Sequence, residues 1–249
     1  MKNIFIIAAH ELRRLFKSPL AWVILAIVEF LLAILFLVLL NQFMNPTPWL
    51  AGRGATEIVV AGLLQIAGIV ILMITPLITM RIFSEERHTG TIRFLFSSPV
   101  TITELVLGKY LGILGFLVLQ LLLIALMPLS LLLGTSIDLW QLASGLIGLL
   151  LLMSSFAAIG MFVSSLTSHT TIAAITTFAI LFLLWIINLA SNTGSELFKT
   201  IFNWLSLLKH YNNFINGLFN STDLFYYLII IVLFVVLSIW RLDAERIHL

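Results

Sequence analysis

Hydrophobic positions in this chain fall in long unbroken runs, and polar positions collect in the gaps between them. A hydrocarbon core of about 30 Å needs about 20 apolar residues at a helical rise of about 1.5 Å each. Six runs meet or approach that length, at 20–40, 58–80, 105–133, 139–165, 171–190 and 224–240. The last is the shortest, and Tyr226, Tyr227 and Trp240 at its ends suit anchoring at a membrane–water interface. The pattern predicts an all-α polytopic membrane protein, a single transmembrane domain over 1–249 with six transmembrane helices.

Two stretches follow another rhythm. At about 100° per residue, Ile4, Phe5, Ile7, Ala8, Leu12, Leu15 and Phe16 share one arc. Lys2, His10, Arg13, Arg14 and Lys17 fall opposite, with Ile6 and Glu11 as exceptions. Residues 1–18 thus read as an amphipathic helix lying in the interface, and Pro19 permits the turn into the first span. Residues 191–223 mix polar positions with Leu197, Phe198, Trp204 and Leu208. They predict one or two short helices at the outer interface.

Composition narrows the class. The chain is 61% hydrophobic and 10% charged, more apolar than a soluble domain of this size can bury. Cysteine is absent, which excludes disulfides, thiolate metal sites and cysteine nucleophiles. No short apolar core followed by a small-residue cut site marks a cleaved leader, so the first span is expected to be retained. The distribution of charge orients the chain. With the N-terminus cytoplasmic, ten Lys and Arg residues lie inside and three (Arg53, Lys199, Lys209) outside. Six spans place both termini on that cytoplasmic side. The cytoplasmic parts are then 1–19, 81–103, a turn around His169 and the tail after Trp240, and none can house an enzyme domain.

Charge is concentrated in one segment, Arg81 to Lys109. Ser84 is placed to N-cap a helix, with Glu85 and Glu86 in its first turn at the positive end of the helix dipole. The helix is expected to run to about Ser97 and to stop at Pro99. Thr101 and Glu104 have capping-box spacing, which defines the start of the third span. Glu85, Glu86, Arg87, His88 and Arg93 are expected to be exposed charged contacts, with Phe94, Leu95 and Phe96 packed on the membrane side. A short helix held between two spans can transmit a push from a soluble partner; an ordinary interfacial loop stabilised by lipid headgroups fits the same residues.

The run RIFSEERHTGTIRFLFSSPVTITELVLGKYLG resembles the motif of ABC-2-type transporter permeases, and similarity extends to the gliding-motility and copper-processing permeases. The matching positions are Arg81, Ser84, Glu86, Arg87, Gly90, Thr91, Ser97, Pro99, Gly108 and Lys109. His88 and Arg93 depart from it by making the segment more basic. The resemblance implies that residues 81–103 carry a cytoplasmic coupling helix docked on a separate ATP-binding subunit. Arg81, Ser84, Glu85, Glu86, Arg87, Gly90 and Thr91 would form that contact. It further implies two copies of the ATPase, a second permease chain, most simply an identical one, an exporter, and a bacterial inner (cell) membrane location. ATP and Mg would bind the partner, with no cofactor in this chain and no nucleic acid.

Glu29 is the one charge inside the first run, about nine residues and hence about 13 Å deep. An ionisable group there must be paired, protonated or turned toward water. It is a candidate for the transport pathway or a subunit interface, and equally for a packing contact with a neighbouring helix. Gly108, Gly112 and Gly115, and Gly145, Gly148 and Gly160, permit close helix approach. Catalytic motifs fail: His10-Glu11 lacks the second His of a zinc protease, and Gly108-Lys109 lacks the upstream Gly of a P-loop. An intramembrane enzyme would need a constellation that Glu29 alone does not supply. A scaffold or force-transmitting anchor shares the docking helix and is told from a transporter only by nucleotide-coupled movement. The scarcity of fixed charge in the spans points to an amphipathic or bulky substrate rather than a small ion.

Overall fold

Nine helices follow one another along the described part of the chain, a computed structural model describing residues 2–48, 52–92, 100–190 and 206–247. They are α1 (Lys2–Lys17), α2 (Pro19–Met44), α3 (Ala61–Thr79, entered through a π-helical turn, Thr56–Val60), α4 (Ser84–His88), α5 (Ile102–Ser130), α6 (Leu139–Leu166), α7 (Thr170–Ala190), α8 (Leu207–Ile215) and α9 (Ser221–Ile247). Each predicted apolar run is a helix. Five stretches, built on α2, α3, α5, α6 and α9, are long and apolar enough to cross a membrane, and α7 is a shorter apolar helix.

Burial sorts these helices. In α6, 72% of the most apolar window is buried inside the protein, against 22% in α2 and 28% in α9. The central helix α6 packs against α3, α5, α7, α8 and α9. The outward faces of α2 and α9 carry Phe30, Leu37, Phe225 and Val232, all exposed, as suits surfaces that meet lipid.

The amphipathic α1 does more than lie in an interface. Its most extensive partner is α5, and glycine makes that approach possible. A Cβ at Gly108 would stand 2.7 Å from Ile7 Cβ, and one at Gly112 2.7 Å from Glu11 Cβ. Thus α1 is seated in a groove of α5, with Phe5 and Ile6 turned outward. The start of α5 carries the predicted capping box: Glu104 N–H donates to Thr101 Oγ1 at 3.2 Å, and Thr101 N–H to Glu104 Oε2 at 3.3 Å. Asn3 of α1 donates to the same carboxylate.

Several expectations are corrected. The helix after Arg81 does not run to Ser97; it ends at His88. Gly90 takes a positive φ of 74°, and its N–H reaches back to the Arg87 carbonyl. The Thr89 and Thr91 hydroxyls take the Glu85 and Glu86 carbonyls, so the free carbonyls are satisfied by a turn instead of further helix. Arg93, Phe94, Leu95, Phe96 and Ser97 lie outside the described residues. The last helix, by contrast, continues well past Trp240, to Ile247. In the outer stretch 191–223, of which 191–205 is outside the described residues, one short amphipathic helix, α8, buries Leu207, Leu208, Tyr211, Phe214 and Ile215.

Candidate coupling site

A further correction concerns the cap of α4. Phe83 occupies the cap position. Ser84 is buried, and its hydroxyl donates to the Met80 carbonyl. The capping oxygen comes from α6: Ser164 Oγ accepts the N–H groups of Phe83 and Ser84, both at 3.1 Å, and donates to the Met80 carbonyl at 3.0 Å. A serine some 80 residues away in sequence thereby fixes the start of α4 to the central helix. No local pattern announces such a cap.

The two central residues of α4 are turned inward, against the expectation that they are exposed contacts. Glu86 Oε1 accepts from Lys109 Nζ at 2.5 Å and lies 3.5 Å from Arg14 Nη1. Lys109, 3% exposed, also donates to Glu11 Oε2 at 3.4 Å and to the Ile82 carbonyl at 3.1 Å. Arg14 closes the group on Glu11 at 3.1 Å and reaches the Arg81 carbonyl at 3.4 Å. Two carboxylates and two cations from α1, α4 and α5 therefore share one node, buried at Glu11 and Lys109 and partly exposed at Glu86 and Arg14. The reason is desolvation: an unpaired charge at such a site is costly, so it is retained only among partners. Glu11, an exception to the amphipathic pattern of α1, is the residue that seats it.

Arg87 is directed the other way, into an ion pair with Glu245 near the end of α9. Glu86 Oε2 and Arg87 Nε are buried with no hydrogen-bond partner among the described residues. Residues Arg81, Glu85, His88, Thr89, Gly90 and Thr91 are exposed. The His88 ring lies edge-on to His169 in the turn between α6 and α7, with centroids 6.1 Å apart. This short segment thus touches α1, α5, α6, α9 and the α6–α7 turn, all at one end of the bundle.

Glu29 is placed elsewhere. It is half-buried on α2, and its Oε1 accepts from Gln120 Nε2 of α5 at 2.7 Å. Among the described residues it makes no hydrogen bond or ion pair with α4 or its charged partners. Among the described residues, no group of three or more His, Cys, Asp or Glu side chains is arranged to hold a metal ion.

Sequence reasoning found Arg81, Ser84, Glu85, Glu86, Arg87, Gly90, Thr91 and Lys109 as a linear motif. It missed Glu11 and Arg14 as their partners and Glu245 altogether; Ser164 was legible as a residue able to hydrogen-bond between helices, but not as the cap of α4. The signal for Glu11 was present: an acid on the wrong face of a basic amphipathic helix needs a cation to face.

No curated protein matches the chain. The model of a family described as ABC-2 family transporter protein matches residues 5–246, nearly the whole length. The chain is a multi-pass membrane protein, and by that match it belongs to the ABC-2 family of transporter proteins.

Proposed function

We propose that the chain is the membrane-spanning permease subunit of an ATP-driven exporter, with six spans and both termini in the cytoplasm. A separate ABC ATP-binding subunit, present in two copies and holding ATP and Mg, docks on the segment from Arg81 to Thr91. A second permease, in the simplest case an identical copy, completes the transporter, and this chain itself catalyses nothing. The membrane is a bacterial inner membrane.

The observation that carries the reading is the node of Glu11, Arg14, Glu86 and Lys109. It joins the segment that would receive force to α1 and α5, while Arg87 joins it to α9. A displacement of α4 cannot leave these helices unmoved, because separating buried charges without partners is costly. Glu86 Oε2 and Arg87 Nε, buried with no hydrogen-bond partner among the described residues, lower the cost of rearranging the segment relative to a fully satisfied network. The docking face is then the exposed part, Glu85 and His88 to Thr91, and the roles of Glu86 and Arg87 are internal. Each is a relay from that face into the bundle.

The test is affinity purification of the tagged chain from native membranes in mild detergent, with identification of the bound subunits. A P-loop subunit should be recovered, and charge reversal at Glu85 with His88→Glu should release it. Lys109→Met should keep the subunit bound and abolish nucleotide-driven transport in reconstituted vesicles. Recovery of the chain alone after cross-linking in the membrane would overturn the reading.

A further inference from the structure

A cavity of about 160 Å³ opens beside the coupling site, between α1, the start of α2, the end of α3 and α4. Its interior is apolar, with Leu20, Ala21, Ile24, Leu77, Ile113 and Phe116 in the walls. Four charged residues line it as well: Glu11, Arg14, Arg81 and Glu85. Two of them are committed, since Glu11 and Arg14 pair with each other at 3.1 Å. The other two are free. Arg81 and Glu85 are exposed and take part in no ion pair among the described residues.

A cavity of about 150 Å³ with aliphatic and aromatic walls is large enough to take up a benzene molecule. The space therefore holds several methylenes of a chain. Arg81 follows the last turn of α3, where the apolar run gives way to charge, so the free charges stand at headgroup depth. One cation and one anion, one helical turn apart in sequence and not paired to each other, complement a headgroup that itself carries both signs. A phosphate diester suits the Arg81 guanidinium. A primary ammonium suits the Glu85 carboxylate, because it donates hydrogen bonds to it. A quaternary choline has no N–H to donate, and a glycerol headgroup brings no positive charge.

We infer that this cavity is a binding site for one aminophospholipid, phosphatidylethanolamine in kind, with its phosphate on Arg81, its ammonium on Glu85 and part of an acyl chain between α1, α2 and α3. Glu85 thereby belongs to the lipid site and to the edge of the docking face, so lipid occupancy bears on how α4 presents itself to a partner. The lipid site itself does not depend on the ATPase reading, since its walls and free charges are all in this chain.

The experiment is native mass spectrometry of the purified, delipidated chain titrated with phosphatidylethanolamine, phosphatidylcholine and phosphatidylglycerol of matched acyl chains. Phosphatidylethanolamine should be retained over phosphatidylcholine by up to about fivefold, the range of one exposed charge contact. Glu85→Gln should erase that preference while leaving overall lipid retention in place. Arg81→Gln should weaken all three lipids, and Ala21→Leu, which fills the cavity, should displace the bound lipid without touching either charge. Arg81 and Glu85 are exposed, so their variants fold whatever the outcome. Equal retention of the three headgroups, stronger retention of phosphatidylglycerol, or a preference indifferent to Glu85→Gln would overturn the assignment. No ATPase is present in this measurement, so its failure is distinguishable from failure of the transport reading.

Discussion

The two ends of the helical bundle are held together by different chemistry. At the Arg81 end, helices are joined through charge: Glu11, Arg14, Glu86 and Lys109 in one node, Arg87 with Glu245 in another. At the opposite end, neutral hydroxyls carry much of the joining. Tyr211 donates to the Leu64 carbonyl at 2.6 Å, Tyr227 to the Leu207 carbonyl at 2.8 Å, and Gln141 to the Ile215 carbonyl at 2.9 Å. One carboxylate stands among them, Asp223, with its Oδ1 2.5 Å from His210 Nδ1 and its other oxygen accepting from the Asn213 amide. Complete burial pushes the Tyr211 phenol well above its ordinary pKa, so it stays a neutral donor. A contact of this kind has one good geometry. A charge node has several, since Lys109 already divides its protons among Glu11, Glu86 and the Ile82 carbonyl. The Tyr211 end is built to stay, and the Arg81 end can exchange partners without exposing a charge.

Removing the central cation is the largest test of that contrast. Lys109→Met leaves Glu11 and Glu86 facing each other with only Arg14 between them. Breaking a buried ionic group by deleting one member costs about 3–5 kcal/mol. Thermal unfolding of the detergent-solubilised protein should show this as the deepest loss of the set. Combining it with Glu11→Gln and Glu86→Gln should recover most of the loss, because the uncompensated charges are then gone. If the triple variant is as unstable as the single one, the node acts through packing and the contrast fails.

A smaller effect is expected at the Tyr211 end. Tyr211→Phe keeps the ring that packs on Gly68 and removes one hydroxyl. The Leu64 carbonyl retains the bond that the α-helix itself provides, so the cost is about 1 kcal/mol. It should be independent of salt, as a neutral contact requires. Ser164→Ala removes the remote cap of α4 and costs about 1 kcal/mol as caps do. Its sharper readout is hydrogen exchange at Phe83 and Ser84, whose N–H groups lose their acceptor; unchanged protection there would show that α4 is held by its ion pairs alone.

The helices were legible because apolar runs of membrane-spanning length leave few alternatives. The capping box at Thr101 and Glu104 was equally legible, both partners being three residues apart. The motif after Arg81 was visible as residue types, yet its inside and outside were not. Five helical residues give no period to read, so nothing local distinguished exposed Glu85 from inward-turned Glu86. What decides it is where Lys109 and Glu245 arrive, and that is tertiary. The end of α4 was misjudged for a related reason: Gly90 reads as tolerated within a helix until the threonine hydroxyls on either side are seen to take the last carbonyls.

Glu29 lies between these two ends and tests whether the rule of the Arg81 end extends along the spans. Its carboxylate accepts from Gln120 at 2.7 Å, with Gln120 itself 3% exposed. A carboxyl group on an apolar helix needs a donor or a proton. Glu29→Gln keeps an acceptor oxygen for the Gln120 amide and removes the charge, so stability should change by less than about 0.5 kcal/mol. Gln120→Leu keeps the carboxyl group and removes its donor, which should cost about 1 kcal/mol. If Glu29 serves only packing, Glu29→Gln should also leave transport in reconstituted vesicles unchanged. If it lines the path or a subunit contact, transport should fall while the melting curve stays where it was. The reverse ordering of the two variants in stability would mean that Gln120 is not the partner that makes Glu29 tolerable, and that water or a second chain meets it instead.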